Sequence, residues 1–129
     1  MIPQLREMTD ADRSFIISSW LKSYRNADSV THLSNDVYYT GHAKLINDLL
    51  ATSNVTIACD PSYPTSMFGY IVHDANVAHY LYVKYSLRRH GVATMLYEAA
   101  GKPSVATHFT FVVPKLPFKF VRNPYGVYP

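Results

Sequence analysis

The chain is short of several things that many proteins depend on. Its 129 residues hold a single cysteine, Cys59, which excludes an intramolecular disulfide and any Cys-x-x-Cys metal or redox pair. Set in the apolar run from Val55 to Cys59, it reads as a small core residue and not as a nucleophile. No apolar run reaches the roughly 18 residues that a membrane helix requires, so no membrane partner is expected. The N-terminal stretch carries Arg6, Glu7, Asp10 and Asp12 where a secretory signal needs an apolar region, which makes a cytoplasmic location the expectation. Charged residues are only 16% of the chain, with a net charge of +3. They gather at Arg88 to His90 and at Lys115 to Arg122, never as a run of about five like charges. That pattern suits a small anionic ligand better than nucleic acid.

Whole classes of catalytic device are missing too. Six histidines occur without His-x-x-x-His spacing, so no metal site is expected. There is no Gly-x-Ser-x-Gly turn for a serine nucleophile. Neither the Gly-x-Gly-x-x-Gly fingerprint nor a Gly-Lys-Ser/Thr phosphate loop is present.

What is present is a globular composition, 48% hydrophobic with 11 tyrosines, long enough for one domain over 1–129 with a real core. The tyrosines read as residues that bury a ring and keep a wet hydroxyl. A short strand is expected over Met1 to Met8, then a helix capped by Thr9, with Asp12 near its positive end, running to about Tyr24. Ile16 pairs with Trp20, and Ile17 with Leu21 and Tyr24, on one stripe. A polar loop leads to a second helix from Asn35 or Asp36 to about Ala51, with Val37, Ala43, Ile46, Leu49 and Leu50 inward and Gly41 as a weak spot. Strands follow over Asn54 to Cys59 and Met67 to His73, with turns at Asp60 to Pro64 and Asp74 to Asn76.

The segment Val77 to Ala100 carries the most information. It begins as an alternating strand with His79, Leu81 and Val83 on one face and Ala78, Tyr80, Tyr82 and Lys84 on the other. A basic turn follows, Arg88-Arg89-His90-Gly91, and then Val92, Met95, Leu96 and Ala99 recur at helical spacing. A helix start offers unpaired N–H groups and the positive end of the macrodipole, so it attracts anions. Gly91 and the small Ala93 allow close approach, and the guanidinium groups of Arg88 and Arg89 can each grip two phosphate oxygens. The plainer reading is a strand-turn-helix with solvated arginines. The helix ends near Gly101 with Pro103 beyond, and Thr107 to Val113 reads as a buried strand.

Arg88-Arg89-His90-Gly91-Val92-Ala93, preceded by Leu81-Tyr82-Val83, resembles the cofactor motif of the GNAT superfamily of acyl-CoA-dependent N-acyltransferases. The order of elements over about residues 1 to 113 resembles that family as well. The resemblance implies an α/β (α+β) fold: a mixed, mostly antiparallel central sheet with helices on both faces, in the order β-α-α-β-β-β-α-β-β. The tail departs from the family's pattern. Lys115-Leu116-Pro117-Phe118-Lys119-Phe120 looks like the family's later strand, arriving with its preceding tyrosine-bearing helix shortened or lost. An edge left open there leaves room for a homodimer, or is blunted by Pro124 and Pro129.

The resemblance also implies a site. The backbone of Val83 would hold the pantetheine arm of acetyl-CoA by strand addition, and the Leu81 N–H would polarise the acyl carbonyl. The N–H groups of Arg89, Gly91, Val92, Ala93 and Thr94 would cradle the pyrophosphate beside the side chains of Arg88, Arg89 and His90. Transfer to an amine needs a base. His79 is the first candidate and His108 the second, each with a packed core histidine as the alternative. Tyr125, in the turn Asn123 to Gly126, either folds back over the site or lies at the surface. His73 and Asp74 read as solvated, while His42, Tyr38 and Tyr39 could line the acceptor cleft. The implied activity is direct acetyl transfer to a primary amine of a protein or a small molecule. The alternative is an inactive acyl-CoA-binding or protein-interaction module on the same fold, and a third option is acylation of RNA.

Overall fold

The computed structural model describes residues 2–27, 30–88 and 90–107 and the backbone of 119–120. The elements are β1 (Gln4–Glu7), α1 (Arg13–Tyr24), α2 (Asn35–Thr52), β2 (Asn54–Cys59), β3 (Met67–Asp74), β4 (Val77–Val83), α3 (Val92–Ala99), β5 (Val105–Ala106) and β6 (Lys119–Phe120). This is the expected order. The six strands lie in chain order across one sheet. β1 to β4 pair antiparallel, and β5 and β6 join in parallel. The expected mixed, mostly antiparallel sheet is therefore what forms.

Alternation along the strands produces two cores. Ile57, Cys59, Tyr70, Val72 and Tyr80 face α1 and α2 and pack with Ile16, Trp20, Tyr38 and Ile46. Ala58, Ile71, Leu81 and Val83 face the other way and pack with Val92 and Leu96 of α3. Helices thus cover both faces, and the strand residues alternate between them except where the register shifts.

Several local expectations shift. β1 is shorter than Met1 to Met8, and a 3₁₀ turn over Asp10–Asp12 precedes α1, which starts only at Arg13. The Asp12 carboxylate accepts the Thr9 N–H at 2.8 Å and its hydroxyl at 3.1 Å. It is also gripped by the Arg6 guanidinium at 2.6 and 2.9 Å, which holds its pKa down to about 2. The same guanidinium donates to the Pro64 carbonyl, so one cation ties β1, the α1 entry and the β2–β3 loop together. Val37 is 57% exposed and lies outside the core stripe.

Three tyrosine hydroxyls differ from expectation, while those of Tyr39, Tyr63 and Tyr85 lie on exposed residues. Tyr70 reaches the Ser19 hydroxyl at 2.8 Å and Tyr80 the Ser23 hydroxyl at 2.5 Å, while Tyr38 donates to the Leu21 carbonyl at 2.6 Å. These hydroxyls are satisfied by α1 and not by water, because a buried O–H must find a partner. Burial pushes the pKa of all three phenols well above the usual tyrosine range.

His42 and Tyr38 belong to this core and not to a cleft wall. His42 is 8% exposed and stacks with Tyr24 at 5.2 Å and Tyr38 at 5.4 Å between ring centroids. Trp20 stacks on Tyr80 at 4.6 Å in the same cluster. Burial lowers the His42 pKa to about 4 from 6.5, so the imidazole is neutral in the folded protein.

Two predictions follow from this packing. A Cβ at Gly69 would lie 2.4 Å from the Tyr82 carbonyl oxygen and 3.1 Å from Val83 Cα. Gly69→Ala should therefore lower the unfolding free energy by about 1–3 kcal/mol in urea denaturation, and parental stability in that variant would contradict the close approach. The unfolded chain takes up the His42 proton near pH 6.5 but the folded one only near 4, so the His42 contribution is complete above pH 6.5 and lost as pH falls. The loss should be on the order of 2–3 kcal/mol between those values. His73, whose pKa burial also lowers, acts in the same direction. Denaturation midpoints against pH should show the slope in the parent and a flatter one in His42→Phe.

Candidate functional site

β4 is the strand on which the site is built. It pairs with β3 along its length, but with β5 only at Val77↔Val105 and Ala78↔Ala106, closed by the Thr107 N–H on the Ala78 carbonyl at 3.1 Å. Among the described residues the β4–β5 pairing goes no further. Asn76 braces this end, because its side-chain oxygen accepts the N–H and hydroxyl of Ser104 at 2.9 and 2.8 Å. At the other end the Lys84 N–H donates to the Phe68 carbonyl at 2.9 Å. Alternation along an antiparallel ladder then turns the N–H and C=O groups of Val83 and Leu81 away from β3. These are the two residues whose backbone the motif marks out.

Beyond β4 the chain makes a 3₁₀ turn over Tyr85–Leu87 and reaches Gly91, which adopts φ +81°. That left-handed conformation favours glycine, and it lets the chain turn straight into α3. Gly91 offers no side chain to cap the N–H groups of Val92, Ala93 and Thr94, and a Cβ built on it meets nothing within 4 Å. Among the described residues nothing caps this helix start, which suits it to an anion. His90 and Thr94 are exposed beside it, Ala93 is half-buried and Val92 packs into the core.

Arg88 is not a free phosphate grip. Its Nε–H donates to the Val83 carbonyl at 3.1 Å, and its guanidinium lies 5.4 Å from the centre of the Tyr85 ring. The Arg89 expectation falls outside the described residues, as do those for His108 and Tyr125, the strand from 108 to 113 and the tail around Lys115 to Phe118.

His79 occupies a β-bulge. The β3–β4 register runs Val72↔Tyr80 and then His73↔Ala78, so His79 is the extra residue on β4. Alternation slips there. Ala78, and not His79, continues the face of Leu81 and Val83 under α3, which corrects the face read from the sequence. His79 is 1% exposed. Its Nε2 meets the Asp74 carboxylate at 2.9 Å, and its Nδ1 meets the Thr107 hydroxyl at 3.3 Å. Asp74, 43% exposed, also accepts the Ser53 hydroxyl at 3.0 Å. His73 pairs with the Thr56 hydroxyl at 3.2 Å. Neither Asp74 nor His73 is merely solvated, contrary to the reading of that turn.

The structure brings Leu81, Val83, Arg88 and Gly91 to Thr94 into one continuous strip, with the His79 cluster upstream on the same strand. Asp74, Thr107 and Tyr85 were not singled out in the sequence as partners of that strip. No group of three or more His, Cys, Asp or Glu side chains placed to hold a metal occurs among the described residues.

No protein-family model matches the sequence, and no curated protein sequence does. Solved structures do resemble it. Apo-form YjaB of Escherichia coli superposes with a TM-score of 0.58 at 20% identity over 78% of this chain and 65% of that one. A GCN5-related N-acetyltransferase of Rhodopseudomonas palustris gives 0.58 at 18% identity over 79% and 65%. A histone acetyltransferase HPA2 and related acetyltransferase of Corynebacterium glutamicum gives 0.59 at 15% identity over 77% and 70%. The matched region thus spans just under two thirds of the first two of these proteins. At such identities the likeness is one of architecture, and the described part of this chain has the GNAT fold of the GCN5-related N-acetyltransferases.

Proposed function

We propose that the protein is an acetyl-CoA-dependent N-acetyltransferase whose acceptor is a primary amine of a protein or a small molecule. The observation that carries this reading is the strip along β4 and α3. Outward backbone groups at Leu81 and Val83 run directly into a helix start that Gly91 leaves open. An extended amide-bearing arm ending in a pyrophosphate matches that strip, with strand-like hydrogen bonds first and helix N–H groups second. In this reading the backbone of Val83 holds the arm and the Leu81 N–H polarises the acyl carbonyl. The N–H groups of Arg89, Gly91, Val92, Ala93 and Thr94 receive the pyrophosphate.

The acyl-CoA supplies an acetyl thioester. The amine nitrogen bonds to the carbonyl carbon, the carbon–sulfur bond breaks, and the nitrogen's proton must be taken up while the departing thiolate gains one. His79 is the residue proposed to take up the proton, held by Asp74 and facing Thr107. His108 and Tyr125 stay as proposals for the second base and for the acid.

One observation favours the second reading, an acyl-CoA-binding module without turnover. His79 is buried, and both ring nitrogens are already engaged. Calorimetric titration with acetyl-CoA, run beside thiol release over a mixed amine panel, separates the two. Binding with release supports the enzyme, binding without release supports the module, and absence of binding removes both.

Gly91→Glu places bulk and negative charge at the helix start and should abolish acetyl-CoA binding. Gly91→Asn, a residue that tolerates the left-handed conformation, should retain most of it. Equal affinity in the Glu variant and the parent would detach the motif from the cofactor. His79→Ala should reduce turnover by at least about 100-fold while changing acetyl-CoA affinity little; a matching fall in affinity would give His79 a structural role instead.

A further inference from the structure

The bulge on β4 takes His79 out of the β3–β4 register and re-aims its ring into a buried setting built from several elements. The carboxylate of Asp74, at the end of β3, meets Nε2 at 2.9 Å. The Thr107 hydroxyl meets Nδ1 at 3.3 Å and lies 3.4 Å from the His79 carbonyl oxygen. Asp74 is held in turn by Ser53, which caps the end of α2: the Ser53 hydroxyl donates to the same Oδ2 atom at 3.0 Å, and its N–H donates to the Leu49 carbonyl at 2.8 Å. The carboxylate is thus anchored to α2 as well as to β3.

These contacts decide which ring nitrogen carries the hydrogen. An ionised carboxylate only accepts, so the nitrogen facing Asp74 must donate, and a neutral imidazole donates from one nitrogen only. Nε2 is therefore the N–H, and Nδ1 keeps the lone pair. A hydroxyl both donates and accepts, so the Thr107 hydroxyl donates to Nδ1 of the neutral ring. When Nδ1 gains a proton the direction reverses, and the hydroxyl hydrogen turns to the His79 carbonyl. Both ring nitrogens and the hydroxyl stay partnered in either state. The positive charge then forms beside a carboxylate that offsets it.

We propose that Asp74 is a positioning residue for acetyl transfer: it fixes His79 as the Nε2–H tautomer, which makes Nδ1 the nitrogen that takes the amine's proton. The inference rests on the acyltransferase reading and on His79 as its base. In that step an N–H bond of the amine breaks, its electron pair stays on the nitrogen, and an Nδ1–H bond forms. Asp74 keeps its charge throughout. His73 is within electrostatic reach of both groups, but it turns its Nε2 to the Thr56 hydroxyl at 3.2 Å and takes no part.

Ring-nitrogen NMR at about pH 8.5, above the usual imidazole range, reads the tautomer directly. His79 of the parent should show the Nε2–H pattern, and Asp74→Ala should shift it toward a mixture of the two tautomers. Steady-state kinetics supply a second readout. Asp74→Ala should lower kcat at least about tenfold while leaving the KM for acetyl-CoA unchanged, and Ser53→Ala should move kcat the same way by about threefold, the worth of one hydrogen bond. In a His79→Ala background Asp74→Ala should change nothing further, because its effect passes through the imidazole. An Nδ1–H tautomer in the parent, an unmoved tautomer or parental kcat in Asp74→Ala, or a further fall in the double variant overturns the positioning role while leaving acetyl transfer in place. Parent protein that transfers no acetyl group overturns the acyltransferase reading, and the role of Asp74 with it.

Discussion

The pairing of β3 with β4 is the constraint on which the rest of the molecule depends. The two strands are drawn together at Gly69, where any side chain would collide with the backbone of Tyr82 and Val83. They are displaced at His79, where one extra residue changes the sheet's parity. Between these points Ile71 and Leu81 face α3, while Val72 and Tyr80 face α1 and α2. Both cores, the outward backbone at Leu81 and Val83, and the buried imidazole all follow from that one ladder.

The ladder also explains which parts of the molecule could be read in the sequence. Helix and strand order came through because periods of 3.6 and 2 are written locally in side-chain hydrophobicity. Gly91 was legible because a helix start in the left-handed conformation has few chemical solutions. The bulge was not, since the extra residue is defined only relative to its partner strand, and nothing in Ala78-His79-Tyr80 marks it. With the bulge unseen, His79 was assigned to the face of Leu81 and Val83, and the Asp74–His79–Thr107 contact stayed hidden. The three residues are separated in sequence by β4 and α3.

His42 and the tyrosines mislead for a different reason. An imidazole or phenol in a helical or strand pattern looks amphipathic, and sequence alone prices its polar atom as a surface group. Here aromatic neighbours enclose the His42 ring, while hydroxyls and carbonyls of α1 meet the phenols. Those partners lie far off in the chain. The core consequently carries polar atoms on its aromatic rings, each met by a neighbour in the fold.

The serine–tyrosine bonds of α1 also act as a vernier. Ser19 and Ser23 stand one turn apart on the helix, a rise of about 6 Å. They meet Tyr70 on β3 and Tyr80 on β4, which are diagonal neighbours in the ladder because Tyr70 pairs with Tyr82 and Val72 with Tyr80, a separation of about 7–8 Å. Both bonds therefore bind one face of the helix to two strands together. A slip of a single residue, or a rotation of about 100°, loses both at once. Greasy packing alone would tolerate such sliding. Two small hydroxyls thus give α1 a single seating over β3 and β4.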